Sequence, residues 1–302
     1  MKNIFIATDF SPAAYDASIY AVELAKLFDA QVHLFYGCTS AVKVSAGFAP
    51  FNAENIIEES KARLVSQAAL INNKKKVDLE MYVSDGPVVD SIIENAIKCK
   101  ADIIICGMKG KAKTLKKIFG SVVYSLINKS NIPLLVIPEG TKFRKPSHIA
   151  LAIDLDPETS PATLLAMRKM SEKFNSEISV INVLNQNYNE DDVIKFHPPG
   201  NTSELDHLFP GYEFPIGDNI AQTIHNFAIE KQFDVLAVVP HKRTWMDRLF
   251  TESITKNLIS YTNLPVLVLP QNKVKTENFI ADMEHIHKIW EKGLIKKEEC
   301  NC

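Results

Sequence analysis

Residues 101–130 read ADIIICGMKGKAKTLKKIFGSVVYSLINKS, and this stretch decides the fold. Its apolar run, 103–106, has the length and bulk of a strand that is buried on both faces of a sheet. A loop rich in glycine and lysine follows, and from Val122 onward apolar residues recur at helical spacing. Ser121 is a favourable N-cap residue for that helix. The stretch therefore predicts a buried strand, a basic loop and a helix N-terminus, in that order.

This loop contains the groups that phosphate binding requires. Gly107, Gly110 and Gly120 carry no Cβ, so their backbone N–H groups can approach an anion. A helix N-terminus adds unpaired N–H groups and the positive end of a dipole. The spacing G-x2-G-x9-G-S, which ends at Ser121, resembles the nucleotide-binding motif of the ATP-binding branch of the universal stress protein family. The alternative is an ordinary glycine-rich connection between a strand and a helix.

The chain repeats one α/β pattern. Three segments of the first half match segments of the second half: 3–12 with 148–157, 31–37 with 177–183, and 101–138 with 233–270. One insertion also aligns Gly86 with Gly217. Strands that alternate with helices predict a parallel, doubly wound sheet, and the repeat predicts two such five-stranded domains in tandem. We expect them at residues 1–140 and 147–270, followed by a helical carboxy-terminal tail at 271–302.

The elements of the first half can be placed individually. We expect strands at 3–7, 31–36, 77–83, 103–106 and 133–137, and helices that include one starting at Ser11-Pro12 and one at 52–71. The fifth strand of each half, LLVIP and VLVLP, leaves an exposed edge unless it is paired. We expect the two edges to pair with each other, so that the halves form an intramolecular pseudo-dimer. Association into homodimers remains open.

The resemblance covers about residues 1–270 and is to the tandem type of the family, whose fold is like that of the adenine nucleotide alpha hydrolases. It implies that Asp9 accepts hydrogen bonds from the ribose hydroxyls or the base of ATP, with Ala7 and Thr8 in the same wall. Gly37, at the end of the second strand, would offer its backbone to adenine. The second half has Val183 at that position, and the loss of this side chain weakens adenine packing.

The resemblance also implies a phosphate subsite. Cys106 and Gly107 would flank the sugar and the α-phosphate. The phosphates would receive N–H groups, and one hydroxyl, from Gly110, Gly120, Ser121, Val122 and Val123. Mg²⁺ would bridge the phosphate oxygens, because hard cations prefer oxygen ligands. Lys109 and Lys111 would neutralise charge, unless they belong to a solvated basic loop.

The two halves differ at the motif. In the second half the three glycines are replaced and only the serine is retained: Gly107 becomes Val239, Gly110 becomes Lys242, Gly120 becomes Glu252, and Ser121 corresponds to Ser253. A carboxylate about 4 Å from a phosphate costs roughly 4 kcal/mol at an effective dielectric constant near 20. This is about a thousandfold in affinity. We therefore predict that only the first half binds ATP; a different ligand near His241, Arg243 and Trp245 is the alternative for the second.

Composition limits the other functions. The formal net charge of −2 over 302 residues predicts no attraction to nucleic acid or to an anionic membrane. Apolar runs are too short for a membrane span, the N-terminus does not read as a signal peptide, and five scattered cysteines are typical of a reducing cytoplasm. Walker A, Rossmann and catalytic-triad patterns are not legible. Three hypotheses remain: an ATP-binding stress regulator with a protein partner, a scaffold with a vestigial nucleotide site, and a slow ATPase or nucleotidyl-transferring enzyme.

The tail from residue 271 carries its own patterns. Phe279, Met283, Ile286 and Trp290 fall on one helical face, which we expect to dock on this chain or on a partner subunit. The terminal Cys300 and Cys302 could bind a soft metal or form a dithiol. A frayed terminus is the simpler expectation, and no metal site is predicted.

Overall fold

The computed structural model describes residues 1–39, 53–73, 77–109, 120–152, 161–186, 211–240, 255–260 and 262–270. Two halves of similar architecture lie within these ranges. Each alternates strands with helices, as the sequence predicts. Several of the predictions concern positions outside the described residues: Gly110, Lys111, the cluster at 241–245, the residues 242, 252 and 253, and the whole tail from 271.

The first half contains five strands and four helices among the described residues. Strands β1 to β5 are Asn3–Ala7, Gln31–Cys38, Leu79–Asp85, Ile103–Met108 and Leu134–Pro138. Helices α1 to α4 are Pro12–Phe28, Ala53–Ile71, Val88–Lys98 and Ser121–Lys129. Helix α1 begins as predicted, because the Ser11 side chain accepts a hydrogen bond from the Ala14 N–H and Pro12 occupies the first helical position. β2 runs two residues beyond its predicted end, which places Gly37 inside the strand.

The second half follows the same order. Strands β6 to β10 are His148–Ala152, Glu177–Ile181, Gly211–Glu213, Val235–Val238 and Val266–Val268. A 3-10 turn, Pro161–Leu164, leads into α5 at Leu165–Phe174, and α6 spans Ile220–Glu230. A further short helix, α7, covers 255–260. The prediction of five strands per half includes a third strand here, but the sequence did not place the short strand β8.

All ten strands form one sheet in the order β3-β2-β1-β4-β5-β10-β9-β6-β7-β8. Neighbouring strands run parallel except at the centre, where β5 and β10 pair antiparallel with Val136 opposite Val266. We call this central pairing the seam. It satisfies the backbone groups of both fifth strands, so the expectation that the two edges pair within the chain is confirmed.

Helices cover both faces of the sheet. Helices α1, α2 and α5 pack on one face, and α3, α4, α6 and α7 pack on the other. In β4, Ile103 and Ile105 point to the first face while Ile104 and Cys106 point to the second, and all four are buried. This confirms that the opening apolar run is a strand covered on both sides.

Equivalent hydrogen bonds relate the two halves. The Asp102 Oδ2 atom accepts hydrogen bonds from the backbone N–H groups of Lys2 and Asn3 at 2.6 and 3.1 Å. The Asp234 Oδ2 atom, at the same offset of 132 that relates the sequence repeats, accepts from Ser147 and His148 at 2.8 and 3.1 Å. The structural repeat therefore extends to single side chains.

The Gly86–Gly217 match also has a structural counterpart. The Gly86 N–H donates to the Cys38 carbonyl, and the Gly217 N–H donates to the Leu184 carbonyl, each at 2.9 Å. Both glycines follow the third strand of their half and precede a helix. Gly217 follows Leu184 by 33 positions, whereas Gly86 follows Cys38 by 48, so the second half is shorter in this stretch.

Candidate functional site

The carboxyl ends of β1 and β4 lie side by side where the strand order reverses. Ala7 is the register partner of Cys106. Asp9 follows β1, and Gly107 follows Cys106 within β4. In doubly wound sheets, ligands bind in the crevice outside the strands at such a reversal. The structure thus brings the two separately predicted parts of the site to the same end of the sheet.

A tight turn after β1 holds Asp9 in place. The Asp9 Oδ1 atom accepts a hydrogen bond from the Ser11 N–H at 2.9 Å, and the side chain is exposed. Phe10 has a φ of 61°, an uncommon value for a residue with a Cβ, and its N–H donates to the Thr8 hydroxyl at 3.1 Å. Within the described residues the Asp9 Oδ2 atom has no partner. This oxygen is therefore available to accept hydrogen bonds from ligand hydroxyl groups.

The Thr8 side chain points into the protein. Its hydroxyl donates to Gln67 Oε1 at 3.0 Å, and Gln67 Nε2 donates to Ser18 Oγ at 3.0 Å. All three side chains are buried. The network joins the end of β1 to α1 and α2. Thr8 can line the site only through its backbone, so its predicted role in the wall is narrower than the sequence suggests.

Gly107 lies where the first turn of α1 crosses β4. A Cβ built on Gly107 would lie 2.2 Å from the Ala13 carbonyl oxygen and 2.5 Å from the Ala14 nitrogen. Helix backbone occupies the space that any side chain would need. Glycine is therefore required at this position for packing, independently of any ligand.

Cys106 contributes bulk rather than reactivity. Its side chain is buried against the α3–α4 face of the sheet. Burial raises the pKa of the Cys106 thiol to about 12, and the nearby Asp9 carboxylate acts in the same direction. The thiol stays protonated at neutral pH, so it offers a small apolar surface to a ligand.

The start of α4 differs from the sequence prediction. Gly120 is the N-cap residue, with φ −59° and ψ 122°, and Ser121 is the first helical residue. The prediction that Ser121 caps this helix was therefore wrong. Serine ranks above glycine as an N-cap, so the local sequence favours Ser121, but glycine is also accepted at this position.

No side chain caps the α4 N-terminus within the described residues. The backbone N–H groups of Ser121, Val122 and Val123 therefore lack intrahelical acceptors. Ser121 is exposed, whereas the Val123 side chain is buried in the core. Among the residues that the structure describes, a Cβ on Gly120 would meet only Val123 Cγ2, at 3.8 Å.

Gly37 lies under the start of α3. It is paired with Ser84 inside the sheet. A Cβ on Gly37 would lie 3.3 Å from both Phe35 Cε1 and Val88 Cγ1. The narrow gap is consistent with glycine here, and the wider Val183 of the second half stands at the equivalent position.

The second half has a valine where the first half has Gly107. Val239 is half-buried and packs against the core on the face of the sheet that α1, α2 and α5 cover. The helix positions equivalent to 16–19 of α1 are the 3-10 turn Pro161–Leu164 rather than α-helix. The described residues of this half thus differ from the first half in both side chain and backbone at the motif.

None of the helices that the structure describes has the length and apolar character needed to cross a membrane. Groups of three or more His, Cys, Asp or Glu side chains placed to hold a metal ion are likewise absent from the described ranges.

Known proteins resemble this chain both in sequence and in fold. The family model described as the universal stress protein family matches residues 1–138. A universal stress protein of Methanocaldococcus jannaschii is 29% identical over 148 residues, which are 47% of this chain and 84% of that protein. The stress response protein NhaX of Bacillus subtilis is 33% identical over 82 residues, 27% of this chain and 49% of its own.

A solved structure resembles nearly the whole chain. A universal stress protein from Archaeoglobus fulgidus superposes with a TM-score of 0.70 and covers 89% of this chain and 98% of its own. Its sequence identity is 15%, so the likeness concerns the fold. Both halves of this chain therefore have a counterpart in the fold of one known protein.

Proposed function

We propose, from the match of residues 1–138 to the universal stress protein family model, that the first half of the chain binds ATP as a regulatory module of the stress response. The site is the crevice between the ends of β1 and β4. The nucleotide would set the conformation of the chain or its choice of a protein partner. The second half supports the first through the shared sheet and does not bind ATP.

The observation that carries this proposal is the open N-terminus of α4. It follows Gly120, no described side chain caps it, and it belongs to the connection that leaves β4 at the strand reversal. Unpaired N–H groups and a helix dipole favour phosphate there. Across the crevice, Asp9 Oδ2 is free to accept from a ribose hydroxyl, as described above.

The residues present fit an adenine nucleotide in outline. Asp9 and the backbone at Ala7 and Thr8 would hold the nucleoside, with the backbone of Gly37 and the apolar Cys106 beside it. Gly107, Gly110, Gly120 and the first turn of α4, Ser121 to Val123, would hold the phosphates. Mg²⁺, when bound, would bridge phosphate oxygens and reduce their mutual repulsion.

The test is a pair of substitutions at one open position. Gly120→Glu places a carboxylate where the proposal puts phosphate and reproduces the residue of the second half. We expect it to weaken ATP binding by about a thousandfold. Gly120→Gln is the matched control, because it adds a side chain of nearly the same size without the charge, and we expect it to weaken binding far less than Gly120→Glu does. Isothermal titration calorimetry with ATP and Mg²⁺ measures both variants.

A substitution in the second half completes the design. Val239→Gly restores one motif glycine but leaves the remaining replacements, so we expect one ATP per chain, as in the wild type. Binding that survives Gly120→Glu, or a second site gained with Val239→Gly, would contradict the proposal. Normal folding without any ATP binding would favour the scaffold hypothesis instead.

We propose a binding role rather than a catalytic one. Asp9 would act as a hydrogen-bond acceptor for the ribose and not as a base. Multiple-turnover phosphate release from ATP is the discriminating assay. Turnover that is abolished by Asp9→Asn would favour the slow ATPase.

A further inference from the structure

A cleft of about 990 Å³ opens at one end of the seam. There the carboxyl end of β5 lies beside the amino ends of β9 and β10, because β5 and β10 run antiparallel. Its walls include Tyr20 of α1, Lys109, and Asp234 and Asn263 of the second half. The volume is at the upper end of the range for small-molecule sites. We call it the seam cleft.

The cleft reaches the carboxyl end of β4 in the first half. Lys109 lies two residues after Gly107 and lines the cleft. The Met108 carbonyl accepts a hydrogen bond from the Glu139 N–H at 2.9 Å, so the ends of β4 and β5 are in register at this point. A ligand bound beyond the carboxyl end of β4 therefore has the seam cleft as its neighbour.

The segment between the halves, residues 139–147, forms one wall and is held in place. The Gly140 N–H donates to Asp16 Oδ2 of α1 at 2.7 Å. The ring of Phe143 packs edge-on against Tyr20, with centroids 4.8 Å apart. The Pro146 carbonyl accepts a hydrogen bond from Ser176 Oγ at 2.5 Å. This segment is thus attached to the first half at one end and to the second half at the other.

Its side chains alternate between core and cleft. Phe143 is half-buried and packs against the core, while its neighbours Lys142 and Arg144 are exposed and line the cleft. Within the described residues, Lys109, Lys142 and Arg144 form no ion pair. By contrast, Lys129 and Lys169 each hold a carboxylate within 3.0 Å. Among the described residues, three cations without a counter-ion therefore border one cleft.

Two carboxylates also line the cleft, and one of them already accepts hydrogen bonds from the protein. Asp234 Oδ2 accepts from the Ser147 N–H, the Ser147 hydroxyl and the His148 N–H. Glu139 is exposed at the rim. The cations outnumber the carboxylates, and two of them lie on the anchored segment. Lysine and arginine side chains in this arrangement suit an oligophosphate, since both bind phosphate oxygens by charge-assisted hydrogen bonds.

We propose that the seam cleft holds the terminal phosphates of the nucleotide, with Lys142 and Arg144 as the residues that distinguish ATP from AMP. The inference rests on the proposed function, because it assumes a nucleotide on the neighbouring motif loop. It adds a role for the segment between the halves. ATP then contacts a part of the chain that a single domain lacks.

The test compares nucleotides of different phosphate number. In Lys142→Gln/Arg144→Gln, ATP should bind about tenfold or more weakly, and AMP should change by less than about twofold. Lys145→Gln/Lys173→Gln removes the same charge outside the cleft, where both cations lie near aromatic rings, and leaves both affinities unchanged. Calorimetry gives the affinities, and circular dichroism verifies that both variants fold.

Competition with inorganic triphosphate shows whether the cleft takes the phosphate tail of the nucleotide or a free oligophosphate. If the cleft takes the phosphate tail of the nucleotide, triphosphate competes with ATP in the wild type and fails to bind to the cleft variant. Triphosphate that binds without displacing ATP would overturn the proposal in favour of a free oligophosphate site. Wild-type ATP binding with equal loss of ATP and AMP affinity, or with no loss, would refute the cleft inference alone. Absence of any nucleotide binding by the wild type would refute the proposed function itself.

Discussion

Replacing Gly107 by alanine tests whether this glycine is needed for packing as well as for a ligand. The added Cβ would lie 2.2 Å from the Ala13 carbonyl oxygen, and real Cβ atoms do not approach closer than 3.0 Å. The first turn of α1 must then move by at least about 0.8 Å relative to β4. The obstructing atoms are helix backbone, so no side-chain rotation relieves the contact.

The expected cost follows from that geometry. Overpacking of a tightly packed interior destabilises proteins by about 1–3 kcal/mol. Because the clash is with backbone, we expect about 3 kcal/mol for Gly107→Ala, or roughly 5–10 °C in Tm. Gly120→Ala is the control from the same motif. Its Cβ meets nothing closer than 3.8 Å, and it should change the free energy of unfolding by less than about 1 kcal/mol.

Urea denaturation followed by circular dichroism, without nucleotide, measures both variants. Nucleotide is omitted so that only packing contributes to the difference. If Gly107→Ala unfolds within about 0.5 kcal/mol of the wild type, α1 does not cross β4 as closely as described, and the packing argument fails. Equal destabilisation by both substitutions would also contradict it.

Three further substitutions test other contacts. Gln67→Leu removes the bridge to Ser18 and leaves buried hydroxyls with fewer partners, so the free energy of unfolding should fall by about 1–3 kcal/mol in urea denaturation. Burial of Asp102 opposes its ionisation, but hydrogen bonds from backbone N–H groups and the Lys169 ammonium hold its pKa below the ordinary value. The ionised Asp102 carboxylate therefore stabilises the fold above about pH 4, and this contribution to stability is lost on acidification. Lys169→Met should lower the free energy of unfolding by about 0.5–1 kcal/mol at pH 7 and should have no effect near pH 2. Burial lowers the pKa of His33 although nearby carboxylates oppose the shift. As the pH falls, His33 therefore becomes protonated in the unfolded chain before it does so in the folded chain. The free energy of unfolding should decrease as the pH falls from about 6.5, and His33→Gln should remove this part of the pH dependence.

Periodic and repeated features of the fold could be predicted from the sequence. The apolar run of β4 is continuous, the start of α1 carries Ser11 and Pro12, and the offset of 132 relates whole segments. These signals are local, or repeat within the chain, so they can be recognised in the sequence alone. The pairing of β5 with β10 could also be predicted, because each was an apolar strand with an unpaired edge.

Features set by distant contacts could not be predicted. Strand β8 has three residues, too few for a periodic signal, and its register with β7 holds it in the sheet. The inward orientation of Thr8 depends on Gln67, which is 59 residues away. The reason for Gly107 depends on the α1 backbone that lies over it. At α4, local sequence favoured Ser121 as the cap, and Gly120 takes that position.

The most direct test of the account is a crystal structure of the full chain grown with excess ATP and Mg²⁺. We predict one nucleotide per chain, in the first half, with its phosphates at the N-terminus of α4 and its ribose at Asp9. A nucleotide found in the second half, or a first-half crevice filled by protein atoms at saturating ATP, would contradict the central claim.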